Sequence, residues 1–213
     1  MSVFERTPPE VHPPFQPGHE PDEPRGSFGP IPLLLPKPWR DRIRAFDDAV
    51  DHTLDRFRGH PTTDKTMYAL SELADFALVW HLIGASRALR SDRHLKEAVR
   101  LSALLGLESV LVNGLVKSLF RRVRPLRDTP HPFPLRRPLS SSFPSGHASS
   151  GFTAASLLGE ASRAAPLYYG LASAIALSRV YVKIHHASDV VGGVATGLVL
   201  GRLARRLWTR PPE

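Results

Sequence analysis

The stretch Ala187–Trp208, ASDVVGGVATGLVLGRLARRLW, is apolar through its middle and carries charge only toward its ends. Gly192, Gly193, Gly197 and Gly201 recur near four-residue spacing, the pattern by which close-packed membrane helices bring their backbones together. At about 1.5 Å per residue, a helix of this length approaches the roughly 30 Å of a bilayer's hydrocarbon. Four further stretches share its Ala-, Leu-, Val- and Gly-rich character: Thr66–Arg87, Leu95–Phe120, His147–Ser162 and Pro166–Ile184. The expected fold is all-α, a membrane-embedded bundle of about five spanning helices. Glu72, Asp75 and Glu108 interrupt the first two stretches, and such acids are expected to face the bundle or an interface. A soluble bundle packed through Gly and Ala is the competing reading of the same periodicity.

Bulk composition hides this pattern. The 213 residues hold 28 Lys+Arg against 20 Asp+Glu, a net charge of +8, and the mean hydropathy is −0.17. Those numbers suggest a soluble basic domain with an anionic partner. They are averages over unlike segments. Of the 21 prolines, 11 fall between Pro8 and Pro38, so residues 1–38 read as a disordered, partly extended arm with one apolar run at Ile31–Leu35. The arm lacks the basic start, apolar run and cleavage site of a secretory leader. Residues 39–60 follow as an amphipathic helix: Ile43, Phe46, Val50, Leu54 and Phe57 recur at helical spacing within Trp39–Arg58, which is too charged to span. Residues 61–213 form the remaining domain, interrupted by a second proline-rich stretch from Pro125 to Pro144. The absence of cysteine excludes disulfides and thiolate chemistry.

Three clusters place phosphate-binding or proton-transfer groups at the edges of these helices. Lys117 and Arg124 are seven residues apart, two helical turns, which predicts that both project from one face before Pro125 ends the helix. Two fixed cations suit an anion with several oxygens, and Arg adds bidentate geometry. Pro144-Ser145-Gly146-His147 opens the third apolar stretch. Ser145 is a natural N-cap, Gly146 permits close backbone approach, and the helix start is an anion site with the titratable His147 beside it. In Ser178–Asp189, His185 and Asp189 are four apart. If the backbone there is helical, the carboxylate reaches one imidazole nitrogen and leaves the other as a nucleophile. Asp189 and Glu160 are the only acids between Leu139 and Gly201, which makes an accidental pair less plausible. An N-cap role for Asp189 is equally compatible, and His186 has no assigned partner.

Taken together, Lys117-x6-Arg124-Pro125, Pro144-Ser145-Gly146-His147 and Ser178-Arg179-x5-His185-x3-Asp189 resemble the three signature motifs of the type 2 phosphatidic acid phosphatase superfamily, which includes vanadium haloperoxidases. Every fixed motif position is present, in the family's order, and the resemblance covers about Thr66 to Trp208. It implies that His185 attacks phosphorus to form a phosphohistidine, oriented by Asp189. His147 is then the proton donor and later the base. Lys117, Arg124 and Arg179 hold the phosphate oxygens together with Ser145 and Gly146, and no metal or other cofactor is called for. The implied activity is hydrolysis of a lipid phosphate or (poly)prenyl pyrophosphate in a bilayer, with no nucleic-acid partner. A soluble acid phosphatase, a vanadate-dependent haloperoxidase and a catalytically silent binder of anionic lipid are the alternatives. Membrane relatives usually have six spanning helices, and Trp39–Arg58 occupies the place of the first.

Charge distribution bears on orientation. Arg87, Arg90, Arg93 and Lys96 in one loop and Arg202, Arg205, Arg206 and Arg210 at the tail predict that those ends face the cytoplasm and the active-site loop faces outward. Arg121, Arg122, Arg127, Arg136 and Arg137 on the site side weigh against it. The sequence is silent on oligomeric state.

Overall fold

The structure, a computed structural model, describes residues 36–120, 122–125, 132–136 and 140–208. Residues 1–35, with the expected anchor Ile31–Leu35, and Arg121, Arg127, Arg137 and Arg210 lie outside them. Among the described residues there are helices and connecting segments and no strand.

Helix α1, Lys37–Asp55, begins on Pro36 and Pro38, whose fixed φ suits a helix start. It is the expected amphipathic helix, beginning inside the span assigned to the arm. Thr66–Arg87 is not one helix. It divides into α2, Pro61–Leu73, a 3₁₀ turn at Asp75–Ala77, and α3, Leu78–Ala88. Phe76 and Ala77 hold left-handed backbone with φ of 55° and 57°, a conformation that costs a non-glycine residue about 1–2 kcal/mol. Helix α4 runs Asp92–Leu119; Ser91 caps it by accepting from His94 N, and its Val110–Val116 portion is π-helical. Helices α5, Gly146–Leu158, α6, Ala165–Tyr181, and α7, Ala187–Leu207, complete the bundle.

Helix α5 is the hub. Every residue from Ala148 to Leu158 is buried, and the helix packs most extensively against α7 and then α6. Its own small side chains, Ala148, Ser149, Gly151 and Ala155 among them, let its neighbours approach. The α7 glycines do the rest. A Cβ at Gly193 would lie 2.4 Å from the Ser145 carbonyl oxygen, and one at Gly197 the same distance from that of Ser149. Trp80, Leu101, Leu105, Phe152 and Ile175 fill the core between α3, α4, α5 and α6.

Two helices, α4 and α7, have the length and hydropathy to cross a bilayer. Helix α5, at 13 residues, is enclosed by its neighbours instead. The outer surface is rich in exposed apolar side chains, including Leu82, Leu107, Val110, Leu115, Leu167, Val191, Val199 and Leu203. That surface suits contact with lipid tails better than with water.

Candidate active site

The carboxyl end of α4, the start of α5 and the turn between α6 and α7 meet at one end of the bundle. They enclose a cavity of about 470 Å³ lined by Lys117, Arg124, Gly146, His147, Arg179 and His185, and by Asp75 and Glu108. Six of the eight sequence-predicted site residues thus share one space; Ser145 and Asp189 lie behind its wall.

Each position has a local cause. Ser145 is the N-cap of α5, accepting from Ala148 N at 3.4 Å, and its own N–H donates to the Asp189 carbonyl at 3.0 Å. Fully buried, it shapes the loop rather than facing the cavity. Gly146 makes room: a Cβ there would come within 3.1 Å of Asn113 Oδ1 and 3.8 Å of Lys117 Nζ. Arg124 corrects the sequence expectation. Helix α4 ends at Leu119, because Phe120 turns to extended backbone, and Arg124 reaches the cavity from the segment that follows. Its Nη1 donates to the Ile184 carbonyl at 2.9 Å and lies 3.2 Å from His185 Nε2, while Nη2 reaches the Ser140 and Ser141 carbonyls. Arg179, on the last turn of α6, is buried and donates to the carbonyl and hydroxyl oxygens of Ser71.

His185 lies in the turn before α7, with 2% of its surface exposed. Arg124 beside Nε2 makes that nitrogen the acceptor, which places the ring proton on Nδ1, 3.7 Å from Asp189 Oδ2. The pairing does not come from two residues on one helix. His186 is the N-cap and Asp189 the third residue of α7, where its Oδ2 accepts from His186 N at 2.9 Å. Asp189 thus sits at the third position of a capping box rather than at the N-cap, its Oδ2 faces His185 Nδ1 beyond hydrogen-bond distance, and His186, expected to be a bystander, is the N-cap of α7. Burial pushes the His185 pKa down to about 3, against the raising effect of Asp189, with Arg179 and Arg124 adding to the fall. The imidazole is thus neutral at physiological pH, with a lone pair on Nε2.

Three side chains around these residues carry no motif signal. Asp75, in the strained turn between α2 and α3, places Oδ1 2.8 Å from His147 Nε2. Arg122 donates to Asp189 Oδ1 at 2.7 Å and, through its other Nη, to Asp47 Oδ2 at 2.6 Å. Asp47, buried on α1, also accepts from Ser188 N at 2.7 Å and Ser188 Oγ at 2.8 Å. A continuous chain of bonds therefore links α1 to the carboxylate facing His185. One signal was available. Asp47 falls on the apolar stripe of α1, between Ile43 and Val50, where an unpaired charge is costly.

The arrangement offers a neutral buried imidazole, a second histidine held by a carboxylate, and three cations around an open space. That combination suits in-line attack on a phosphoryl group. Among the described residues, no group of three His, Asp or Glu side chains is placed to hold a metal ion.

Comparison with known proteins agrees. Residues 97–211 match the model of the PAP2 superfamily. A decaprenylphosphoryl-5-phosphoribose phosphatase of Mycobacterium tuberculosis is 33% identical over 141 residues, covering 65% of this chain and 76% of that protein. The crystal structure of a transmembrane PAP2-type phosphatidylglycerolphosphate phosphatase from Bacillus subtilis superposes with a TM-score of 0.58 at 25% identity, over 83% of this chain and 89% of that one.

Proposed function

The chain belongs to the PAP2 superfamily, and from that premise we propose a multi-pass membrane enzyme that hydrolyses a lipid phosphate or (poly)prenyl pyrophosphate through a phosphohistidine on His185, without a metal. Membership, together with similarity to phosphatases of membrane lipids, makes the chain a lipid phosphatase of this family. The proposal adds the mechanism, and the observation that carries it is the convergence of both histidines and three cations on one cavity. The similar proteins named above, one a prenyl-linked sugar phosphate phosphatase and one a phospholipid phosphatase, support that substrate range.

In the first half-reaction, the Nε2 lone pair of His185 forms a bond to phosphorus as the P–O bond to the leaving group breaks. Asp189 stabilises the imidazolium that results. Asp75 holds the Nε2–H of His147 and favours its imidazolium against the effect of burial and Arg179; the dianionic substrate completes that protonation, and the imidazolium gives its Nδ1 proton to the departing oxygen, becoming neutral. In the second half, the same atom takes a proton from water, the hydroxide attacks phosphorus, the P–N bond breaks and inorganic phosphate leaves. Lys117, Arg124 and Arg179 neutralise charge on the equatorial oxygens throughout, each worth roughly a hundredfold in rate.

The cavity is proposed to open on the outer face. Helix α4 runs toward the site and α7 away from it, so the Arg87–Lys96 loop and the Arg202–Arg206 end lie at the far end of the bundle. Because the chain has no cysteine, single cysteines at Arg90 and Arg136 report sidedness cleanly. Labelling of the Arg90 site by an impermeant thiol reagent on intact cells would reverse the orientation.

The decisive experiment is phosphate release from a panel of lipid phosphates by purified protein and by His185→Ala. Activity that survives a chelator, is blocked by vanadate and vanishes in the variant supports the mechanism. Full activity in a folded His185→Ala protein overturns it.

A further inference from the structure

Helix α1 lies across the site end of the bundle rather than along it. Near its middle, Asp47 accepts from Ser188 N and Oγ at the start of α7. Just past its end, Arg58 donates to the Tyr181 and Val180 carbonyls at 2.8 and 3.0 Å, and between them Asp51 pairs with Lys183 at 3.1 Å. Those partners flank the turn that carries His185, so α1 straps both sides of it. The turn depends on being held: Lys183 keeps left-handed backbone with φ of 55°, which a lysine adopts only where its surroundings impose it. A helix bonded to the last turn of α6 and the first of α7 sits level with the cavity, at the depth of the headgroups rather than of the lipid tails.

One stripe of this helix is aromatic and open. Trp39 and Phe46, seven residues apart and therefore on one side, are 57% and 45% exposed, and Phe57, just beyond the helix end, is 53% exposed. Arg42 stacks 5.5 Å from the centre of the Trp39 ring. Lys37, Arg40, Arg42 and Arg44 stand in the first half of α1 against one acid, Asp41, whereas Asp47, Asp51 and Asp55 further along are paired with Arg122, Lys183 and Arg58. The half that carries Trp39 and Phe46 is therefore basic. Open aromatics beside cations compose a helix that seats itself among anionic headgroups. Val191, one turn along α7 from Ser188, is exposed as well, so the surface suited to lipid begins beside the α1 contact. A second copy of the chain would bring the same cations face to face.

We infer that this face of α1 docks on the anionic headgroups of the leaflet into which the cavity opens, and that the contact holds the nucleophile turn in its reactive arrangement. The inference rests on the membrane phosphatase reading above and adds a surface requirement to it. Phe46 precedes Asp47 in the chain, so a leaflet that fixes the aromatic ring also fixes the carboxylate bonded to Ser188 and Arg122. From there the bond between Arg122 and Asp189 reaches the residue facing His185. The lipid acts here as a ligand of the fold and not as substrate. It changes the rate by binding the ordered strap better than a loosened one.

The test uses full-length protein in nanodiscs of phosphatidylcholine, alone or with about a quarter of anionic phosphatidylglycerol. The substrate is para-nitrophenyl phosphate, a soluble monoester that the membrane need not deliver. The wild type is expected to show a kcat at least about fivefold higher in the anionic discs. The double variants Lys37→Gln/Arg42→Gln and Trp39→Ser/Phe46→Ser are each expected to abolish that difference while staying within about threefold of wild type in phosphatidylcholine. Because the chain has no cysteine, a nitroxide on Phe46→Cys reports docking without turnover. Its access to an aqueous nickel chelate should fall at least about twofold in the anionic discs while its access to oxygen, which concentrates in lipid, is kept. A nitroxide equally open to nickel in both discs overturns the inference, as does one closed to nickel and oxygen alike, which would mean that residues 1–35 or a second copy cover the stripe. A kcat indifferent to lipid charge also overturns it, and so does an equal loss in both discs in the variants. Docking of the nitroxide with no phosphate release in either disc overturns the phosphatase reading instead, and the effect on rate with it.

Discussion

Asp47→Ala removes a side chain that never touches the cavity, yet it is expected to slow the reaction. Asp47 accepts from Ser188 N, Ser188 Oγ and Arg122 Nη2, at 2.7, 2.8 and 2.6 Å. The same guanidinium holds Asp189 Oδ1 at 2.7 Å. Removing one partner of a buried ion pair destabilises by about 3–5 kcal/mol. Arg122 keeps 20% of its side chain exposed, so the lower end, about 3 kcal/mol, applies here. At the site, the loosened bond between Arg122 and Asp189 is charge-assisted and worth about 1.5–3 kcal/mol. Transmitted to the orientation of His185, that is roughly a 10–100-fold fall in kcat. KM should stay within about threefold, since no group facing the substrate is lost. Steady-state kinetics on a micellar lipid phosphate gives both numbers. Arg58→Ala is the control: Arg58 ties the end of α1 to the Tyr181 and Val180 carbonyls at 2.8 and 3.0 Å without touching Asp189. If Arg58→Ala lowers kcat as much as Asp47→Ala, α1 acts only by docking and the reasoning fails. Unchanged kcat in a folded Asp47→Ala protein refutes it as well.

Asp75→Ala should lower kcat about tenfold or more by freeing the His147 ring, with little change in thermal stability, because the acid's main partner is His147; an unaltered rate would remove Asp75 from proton transfer. Gly193→Ala sets a Cβ 2.4 Å from the Ser145 carbonyl and should lower stability by about 1–3 kcal/mol. Gly106→Ala, with no atom within 4 Å of the new carbon, should instead raise it by up to about 1 kcal/mol, and melting temperatures in detergent compare the two. His185 titrates near 3 folded and about 6.5 unfolded, so the unfolded chain binds its proton first as pH falls. Its share of stability is whole above about 6.5 and declines toward 3, by up to about 1.4 kcal/mol per pH unit. His185→Asn should flatten that part of the melting-temperature profile between pH 7.5 and 4.5.

The motifs and the glycine spacing of α7 were legible because both are written in short-range order. Gly193 and Gly197 are glycines for a reason that spacing alone suggests, backbone contact with α5. The break at Asp75–Ala77 was not legible: no Gly or Pro marks it, and Glu72 and Asp75 interrupt the apolar stretch without signalling an end to the helix. Left-handed backbone at Phe76 and Ala77 is imposed from outside, by a turn whose Asp75 is bonded to His147. The spacing of Lys117 and Arg124 suggested one helix face, and the two do converge, although the helix ends between them. Residues 47, 122 and 189 come together from three parts of the chain, and the one local sign of the contact is the charge of Asp47 on the apolar stripe of α1.

Acids in an apolar bundle look like a liability until their partners are seen. Asp47 and Asp189 share Arg122, and Asp75 takes His147. The bonds at Arg179 run to Ser71, and those described at Arg124 run to carbonyl oxygens and to His185. Arg122 is thus committed to two carboxylates and serves the scaffold, whereas the bonds described at Arg179 leave its charge facing the cavity. That pairing does not alter the charge count behind the orientation proposed above. The positive-inside bias counts Lys and Arg near the helix ends whatever their acidic partners, so Arg122 still weighs against an outward-facing site. On that face Arg136 is exposed, stacked 4.5 Å from the centre of the Phe76 ring at the mouth of the cavity. There it meets an incoming anionic lipid before Lys117 does, and its charge favours substrate capture as much as it opposes translocation.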